Sequence, residues 1–213
     1  MGIETIPLIV NSNPQTAIPD NMAGSPFRIG PQGDEISSVL HGEFYESARV
    51  GNLFYLATQA AVATSVAMNV TNTGPLVYNP VGNNKKFSIR AFAWHLTTAQ
   101  VAVTLVTLGG GYLSTGGVTA HTTPAVWGTN FGSLAFGGPG VSTALCDMAA
   151  TINTPRGVFH VGQAFTAGSL GCSTGAFVNT GGIPILYPGA YAAIFTLTAT
   201  SGQGFIIWEE LPL

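Results

Sequence analysis

The sequence predicts an all-β protein, an antiparallel β-sandwich preceded by an extended N-terminal arm. Short apolar or alternating runs recur from Asn52 onward, and turn dipeptides such as Asn79-Pro80 and Pro188-Gly189 separate them. No segment longer than about ten residues combines a 3.6-residue apolar period with helix caps. About eight short antiparallel strands in a chain of this length favour a two-sheet sandwich with jelly-roll topology.

The individual strands are predicted from their apolar pattern and from the turns that bound them. Residues 87–95 alternate with period two, so one face carries Phe87, Ile89, Ala91, Ala93 and His95, and the other carries Ser88, Arg90, Phe92 and Trp94. Residues 100–108 are rich in β-branched side chains, and the three glycines at 109–111 are expected to end that strand. The other predicted strands cover residues 53–59, 65–70, 76–78, 133–136, 144–149, 157–164, 183–186, 191–200 and 205–208.

Residues 1–41 are predicted to form the extended arm, and residues 42–213 the jelly-roll sandwich. Five prolines fall within the first 33 residues, and each removes a backbone donor and restricts the residue before it. At the junction, the stretch around Phe44 and Tyr45 fits either a short helical turn or the lead into a strand. The arm also carries apolar residues that suit docking on another surface: Ile3, Ile6, Leu8, Ile9 and Val10.

The composition excludes several functional classes. Only 7% of the 213 residues are charged, against about 25% in an ordinary soluble domain. Intrinsic disorder requires low hydrophobicity and high net charge, whereas this chain is 46% hydrophobic with a formal charge of −3. Its six scattered basic residues do not form the positive surface that nucleic-acid binding needs.

Membrane insertion and export are not expected either. The longest uncharged region, residues 91–146, is interrupted throughout by Gly, Thr, Asn and Pro. It therefore lacks the roughly 20 consecutive apolar residues of a spanning helix. The first residues show no basic segment followed by an apolar core and a cleavage site. We expect a chain that is made in the cytoplasm and has no membrane anchor.

The titratable residues offer little catalytic chemistry. Six of the nine carboxylates lie in the first 46 residues, and the body of the chain retains Asp147, Glu209 and Glu210. We interpret Glu209 and Glu210 as a solvated strand end or the rim of an interface. The four histidines lack the spacing of metal ligands. No catalytic residue, metal site or cofactor is therefore predicted.

One motif raises the question of a nucleophile. Residues 171–175, Gly-Cys-Ser-Thr-Gly, match the G-x-S-x-G pattern of α/β-hydrolases, in which a strand turns sharply into a helix. The residues after the motif cannot form a helix of useful length, and no histidine follows His160 to complete a triad. We therefore reject a hydrolase. Cys146 and Cys172 form no C-x-x-C motif and are interpreted as buried or half-buried thiols.

The low charge indicates instead a surface that is buried in an assembly. A soluble monomer needs surface charge to stay apart from its copies, and contiguous apolar patches normally mark interfaces. The exterior of this domain must consist largely of neutral Thr, Ser, Asn, Gly and apolar side chains. The arm fits the same interpretation, because an extended chain can add a strand to a neighbour or fill its groove.

Several segments resemble one group of phage proteins. They are residues 44–54, 58–60, 73–85, 187–189 and 208–212, which read FYESARVGNLF, TQA, TGPLVYNPVGNNK, YPG and WEELP. Over the regions 42–95 and 183–213, the sequence is similar to small phage virion proteins that include capsid cement and decoration proteins with jelly-roll folds. The resemblance implies a structural role in a virion and a homotrimer, and it carries over no catalytic or binding residue.

The function expected from this resemblance is that of a cement or decoration subunit on the exterior of the phage head. Such a subunit binds at junctions between major capsid proteins, where buried apolar area is worth about 25 cal/mol per Å² before association costs. Phe44 and Tyr45 could equally pack the first strand onto the core. The residues expected to make contacts are Ile3, Ile6, Leu8, Ile9, Val10, Phe27, Phe44 and Tyr45.

Two other classes of function stay open from the sequence. The chain fits other virion components, namely a tail or neck protein, a receptor-binding adhesin or a jelly-roll capsid protein. An adhesin would bind a glycan, with Trp94, Trp127 and Tyr112 as the stacking candidates. A stand-alone enzyme or sugar-binding module would depend on Asp147 and His160.

Overall fold

The computed structural model describes residues 44–58, 60–64, 71–99, 102–112, 132–133, 141–151, 157–165 and 176–213. These residues form one helix, α1 (Tyr45–Val50), and twelve strands, which confirms the predicted all-β class. The strands are β1 (Leu53–Ala57), β2 (Val62–Ala63), β3 (Thr71–Tyr78), β4 (Lys85–Leu96), β5 (Thr104–Tyr112), β6 (Gly132–Ser133), β7 (Leu145–Thr151), β8 (Gly157–Phe165), β9 (Ala176–Asn179), β10 (Ile185–Leu186), β11 (Ala190–Thr196) and β12 (Ser201–Pro212).

The strands form two antiparallel sheets. The seven-stranded sheet has the order β10-β4-β12-β1-β6, with β9 also paired to β4 and β2 to β12, and the five-stranded sheet has the order β7-β3-β11-β5-β8. The inner faces of the two sheets share one buried cluster, which includes Trp94 and Trp208 from the first sheet and Leu108 and Ile194 from the second. The predicted antiparallel β-sandwich is therefore confirmed.

The pairs β3–β11, β4–β10 and β5–β8 are nested, because each joins an early strand to a late strand in reverse order along the chain. The jelly-roll topology as a whole stays a prediction, since residues 113–131 and 134–140 lie outside the description. The described strands belong to one compact unit, Phe44–Leu213. The predicted arm, residues 1–41, and the predicted strand at 65–70 also lie outside the described residues.

The predicted alternation of residues 87–95 is wrong, because β4 contains a bulge at Arg90. β12 pairs Ile207 with Ala91 and its next residue with Ile89, which leaves Arg90 as an extra residue. An extra residue inverts the two faces of the strand beyond it. The core side chains of β4 are therefore Phe87, Ile89, Phe92, Trp94 and Leu96.

The three glycines at 109–111 do not end β5, contrary to the sequence prediction. The strand continues to Tyr112, and all three glycines pair with residues of β11. Gly109 and Gly110 also pair with β8 on the other side. Backbone hydrogen bonds to two neighbouring strands hold this segment extended although glycine has a low strand propensity.

The junction before β1 is helical, which confirms one of the two predicted alternatives. α1 ends at Gly51, whose φ of 84° lies in the left-handed region that glycine adopts without strain. The amides of Gly51 and Asn52 donate to the carbonyl oxygens of Ala48 and Ser47, at 3.1 and 2.9 Å. This closure of the last turn leads the chain directly into Leu53, the first residue of β1.

Candidate interaction surface

One face of the seven-stranded sheet points away from the core and is apolar. The register aligns residues of β1, β12, β4 and β9 in two rows on this face. The chain neighbours of these residues, such as Trp94 and Ile206, point the other way into the core. Six apolar side chains of the two rows define the outer-face patch: Tyr55, Ala57, Ala93, Phe177, Phe205 and Ile207.

The outer-face patch is open to solvent and uneven in depth. Phe177 is 63% exposed, and its ring centre lies 6.1 Å from that of Phe205. A shallow hollow of about 340 Å³ lies beside these two rings and is lined also by Ala57 and His95. A second hollow of about 260 Å³ is lined by apolar residues, including Ile207. His95 is the one Asp, Glu, Lys, Arg or His side chain among the residues that line these two hollows, and most of the others are apolar, so the surface suits apolar contact.

At one end of this face, α1 covers the sheet above a buried ion pair. Glu209 is only 6% exposed and accepts hydrogen bonds from both Nε and Nη2 of Arg90, the Nε bond being 2.9 Å. Ser47 of α1 donates to the same carboxylate at 2.5 Å, and the Phe44 ring lies 5.9 Å from the Arg90 guanidinium carbon. The interpretation of Glu209 as a solvated strand end is therefore wrong. The charge of the Glu209 carboxylate is therefore paired within the chain.

Glu210 points to the other side of β12 and is also buried, at 1% exposure. It pairs with Lys85 at 2.9 Å and accepts hydrogen bonds from Ser142 at 2.6 Å, from the amide of Thr143 at 3.0 Å and from the Thr143 hydroxyl at 3.0 Å. The solvated interpretation is wrong here too. Through these contacts the Glu210 carboxylate joins β4, β12 and the loop before β7.

That junction supports a second group of exposed apolar residues. Asn83 in the β3–β4 turn donates to the Thr143 hydroxyl at 2.9 Å. The amide of Leu213 donates to the carbonyl oxygen of Asn84 at 3.1 Å. Three segments therefore meet at this end of the sandwich, and each exposes one apolar side chain. We call these three residues the end cluster: Val81, Val141 and Leu213.

Cys146 lies near the carboxylates of Glu210 and Asp147. Burial, with the charges of Glu210 and Asp147 in addition, raises the pKa of the Cys146 thiol well above its ordinary value. The thiol therefore stays protonated and unreactive at neutral pH. The prediction of a half-buried free thiol is confirmed for Cys146, whereas Cys172 lies outside the described residues.

The structure places only two of the eight predicted contact residues. Phe44 is half-buried under the contact with Arg90, and Tyr45 is exposed at the start of α1. Their role as contacts, and that of the other six, stays a prediction. The other six lie outside the described residues: Ile3, Ile6, Leu8, Ile9, Val10 and Phe27.

The residues considered for other functions are not brought together. Asp147 lies on β7 and His160 on β8, which are opposite edges of the five-stranded sheet. Four strand spacings of about 4.8 Å put them roughly 19 Å apart, too far for an acid–base pair. Trp94 is fully buried and cannot stack on a sugar, although Tyr112 is exposed. Trp127 and the motif at 171–175 lie outside the description.

No protein-family model, curated protein or solved structure matches the chain. Within the part of the chain that the structure describes, no helix is both long and apolar enough to cross a membrane. In those same residues, no group of three or more His, Cys, Asp or Glu side chains is placed to hold a metal ion. The functional inference therefore depends on the exposed surfaces.

Sequence reasoning missed the outer-face patch, although one signal for it was present. Residues 205–208, Phe-Ile-Ile-Trp, are apolar without interruption. A strand with one face in water alternates between apolar and polar residues, so an unbroken run indicates that both faces are apolar. Phe177 had no such signal, because no strand was predicted at residues 176–179. Its position depends on the pairing of β9 with β4.

Proposed function

We propose that this chain is a non-enzymatic structural subunit of a phage virion, a cement or decoration protein on the exterior of the capsid. The observation that carries the proposal is the outer-face patch, a solvent-facing apolar surface beside which the Glu209 carboxylate is already paired with Arg90. Covering such a surface gains roughly 25 cal/mol per Å² of apolar area before association costs. The proposed partners are further copies of the chain, in a homotrimer, and the major capsid protein. Nucleic acid, membrane and cofactor take no part.

The strand pairing supports the jelly-roll topology within this proposal. A jelly roll is a double sheet built from two Greek keys, and viral capsid proteins use it. The nested pairs β3–β11, β4–β10 and β5–β8 fit that plan. The resemblance of residues 42–95 and 183–213 to phage decoration proteins supports the same function, with synthesis in the host cytoplasm and assembly onto the virion.

The polar groups favour a structural role over the alternatives. Glu209 binds Arg90 and the Ser47 hydroxyl, and Glu210 binds Lys85 and several further donors, so both carboxylates are engaged in contacts within the fold. An enzyme built on Asp147 and His160 is disfavoured by the width of the sheet between them. A glycan site that uses Trp94 is disfavoured by the burial of this side chain.

The test is binding to capsids of the same phage that were assembled without this chain. We expect the full chain to co-sediment with them in a saturable amount and to raise the temperature at which they open. A variant with Ile6, Leu8 and Ile9 changed to Ser should bind much more weakly, because three of the five apolar side chains expected to dock near the start of the arm are removed. A matched control changes three polar residues of the same arm to Ser and should bind normally: Asn11, Asn13 and Gln15.

Failure of the full chain to co-sediment would reject the capsid role. Recovery of the chain with purified tails would assign it to another virion component. If the apolar and the polar arm variants bound equally well, the arm would have no part in the contact.

A further inference from the structure

The outer face of the seven-stranded sheet has a third row of residues, and this row is covered. The register places Leu53, Glu209 and Ser88 side by side, next to the row that contains Tyr55 and Ile207. The three residues of the third row are buried, at 1%, 6% and 4% exposure, whereas Tyr55 and Ile207 are half-buried. One end of this face is therefore covered, and the outer-face patch is the part that stays open.

Two segments contact the third row. The hydroxyl of Ser88 donates to the carbonyl oxygen of Gly182, in the turn after β9, at 3.0 Å. The hydroxyl of Ser47 in α1 donates to the carboxylate of Glu209 at 2.5 Å. Leu53 lies beside Glu209 and is the third residue after the end of α1. The helix therefore lies over the same end of the face as Leu53.

α1 has few means of staying helical by itself. It is six residues long, and isolated helices shorter than about 12–15 residues are marginal in water. The residue before it, Phe44, makes no side-chain hydrogen bond that caps the helix. Among the side chains of α1 that the structure describes, Ser47 and Ala48 are half-buried and Tyr45 and Val50 are exposed. The stability of α1 therefore depends on its contacts with the third row.

We infer that α1 is a strap, a segment that opens from the sheet while both sheets stay folded. The Ser47–Glu209 bond and the burial of Leu53 hold the strap closed. When the strap opens, Leu53 is uncovered and the outer-face patch extends by one more apolar side chain. Segments with few buried apolar contacts are the ones that open locally within a fold. This inference rests on the proposed function in one respect, because the patch that opening extends is the proposed interface.

Amide hydrogen exchange on the full chain, followed by peptide mass, tests whether α1 opens separately. The amides of Ala48, Gly51 and Asn52 donate to backbone oxygens when the strap is closed. We expect them to exchange at least about tenfold faster than the amides of β11, the central strand of its sheet, and still more slowly than an unfolded peptide. Low concentrations of urea should change the exchange of α1 little, because its opening exposes little surface.

Two results of that measurement would overturn the inference. Protection of α1 equal to that of β11 would mean that the helix opens only when the whole domain unfolds. No protection of α1 would mean that the closed strap is not populated.

Ser47→Ala tests the bond that closes the strap. Loss of a hydrogen bond to a buried carboxylate should speed the exchange of α1 by about tenfold. Ser142→Ala is the matched control, because Ser142 donates to the buried carboxylate of Glu210 on the other side of β12, at 2.6 Å. It should speed the exchange of β11 and leave that of α1 unchanged, since α1 opens without breaking the Ser142 bond. Unchanged exchange of α1 in Ser47→Ala, or an equal increase in both variants, would reject the strap.

Leu53→Ala tests what the strap covers. Truncating this side chain weakens the closed form if α1 buries it, so the exchange of α1 should again rise by about tenfold or more. Unchanged exchange of α1 would show that another part of the chain buries Leu53, and opening would then not extend the patch.

None of these measurements involves a capsid. A chain that fails to bind capsids but shows separate opening of α1 would reject the capsid role and keep the strap. A chain that binds capsids while α1 is as well protected as β11 would reject the strap and leave the capsid role standing.

Discussion

The outward faces of the two sheets differ in their exposure to solvent. On the five-stranded sheet, the outward side chains form a second buried cluster, none of them more than 4% exposed: Leu76, Tyr78, Tyr191, Ala193 and Phe195. On the seven-stranded sheet, the outer-face patch leaves Phe177 63% exposed. Both faces are apolar, so apolar sequence alone does not decide which one the folded chain buries. The buried face contributes to the stability of the fold, and the exposed face is open to a partner.

The largest expected effect comes from one matched pair of substitutions on the two faces. Phe195→Ala removes a ring that is 1% exposed, and the lost burial together with the cavity should lower the free energy of unfolding by about 3–5 kcal/mol. Phe177→Ala removes a ring that is mostly in water already, and should lower it by less than about 1 kcal/mol. Urea denaturation, at a dilution where the chains are monomeric, measures both values. Equal losses would show that Phe177 is also covered within the folded chain, and the contrast between the faces would disappear.

The next effect concerns the covered end of the seven-stranded face. Arg90→Met removes the cation from the buried carboxylate of Glu209 and should lower the free energy of unfolding by about 3 kcal/mol. The double variant Arg90→Met with Glu209→Gln removes both charges and should recover part of that loss. The same denaturation experiment applies. A single variant as stable as the wild type would mean that other contacts hold α1 on the sheet.

The smallest effect is a pH dependence that comes from Tyr191 on the five-stranded sheet. Burial raises the pKa of Tyr191 from 10.0 to about 12. The unfolded chain therefore releases this proton at a lower pH than the folded chain does. The stabilising contribution is complete below pH 10 and is lost as the pH rises through about 12. Denaturation midpoints should fall over this range, and less so in Tyr191→Phe; identical slopes for the two proteins would contradict the assignment.

The sequence predicts a strand well where a short apolar run is bounded directly by turn residues. β8 is predicted at 157–164 and lies at Gly157–Phe165, and β7 is predicted at 144–149 and lies at Leu145–Thr151. At the junction before β1, the sequence left a short helical turn and the lead into a strand as alternatives, because so few residues give only a weak preference for either. Local signals of this kind are enough for the fold class and for most of the strands.

The features that the sequence does not predict depend on residues far apart in the chain. The bulge at Arg90 exists because of the register with β12, and Glu209 lies 119 positions away from it. From the sequence alone, Glu209 and Glu210 were interpreted as solvated. Their cationic partners, Arg90 and Lys85, come close only when β4 pairs with β12. The outer-face patch has the same origin, since its four strands come from separate parts of the chain.

The bulge also determines how β4 tolerates changes in length. Deleting Arg90 would remove the extra residue and restore a strict alternation in which Ile89, Phe92 and Trp94 all still face the core, although the ion pair with Glu209 would be lost. A single insertion or deletion elsewhere between Phe87 and Leu96, outside the bulge at Arg90 and Ala91, would instead turn the side chains on one side of it to the opposite face. Related chains that keep this fold should therefore differ in the length of β4 only at this bulge, unless an insertion and a deletion elsewhere in the strand occur together.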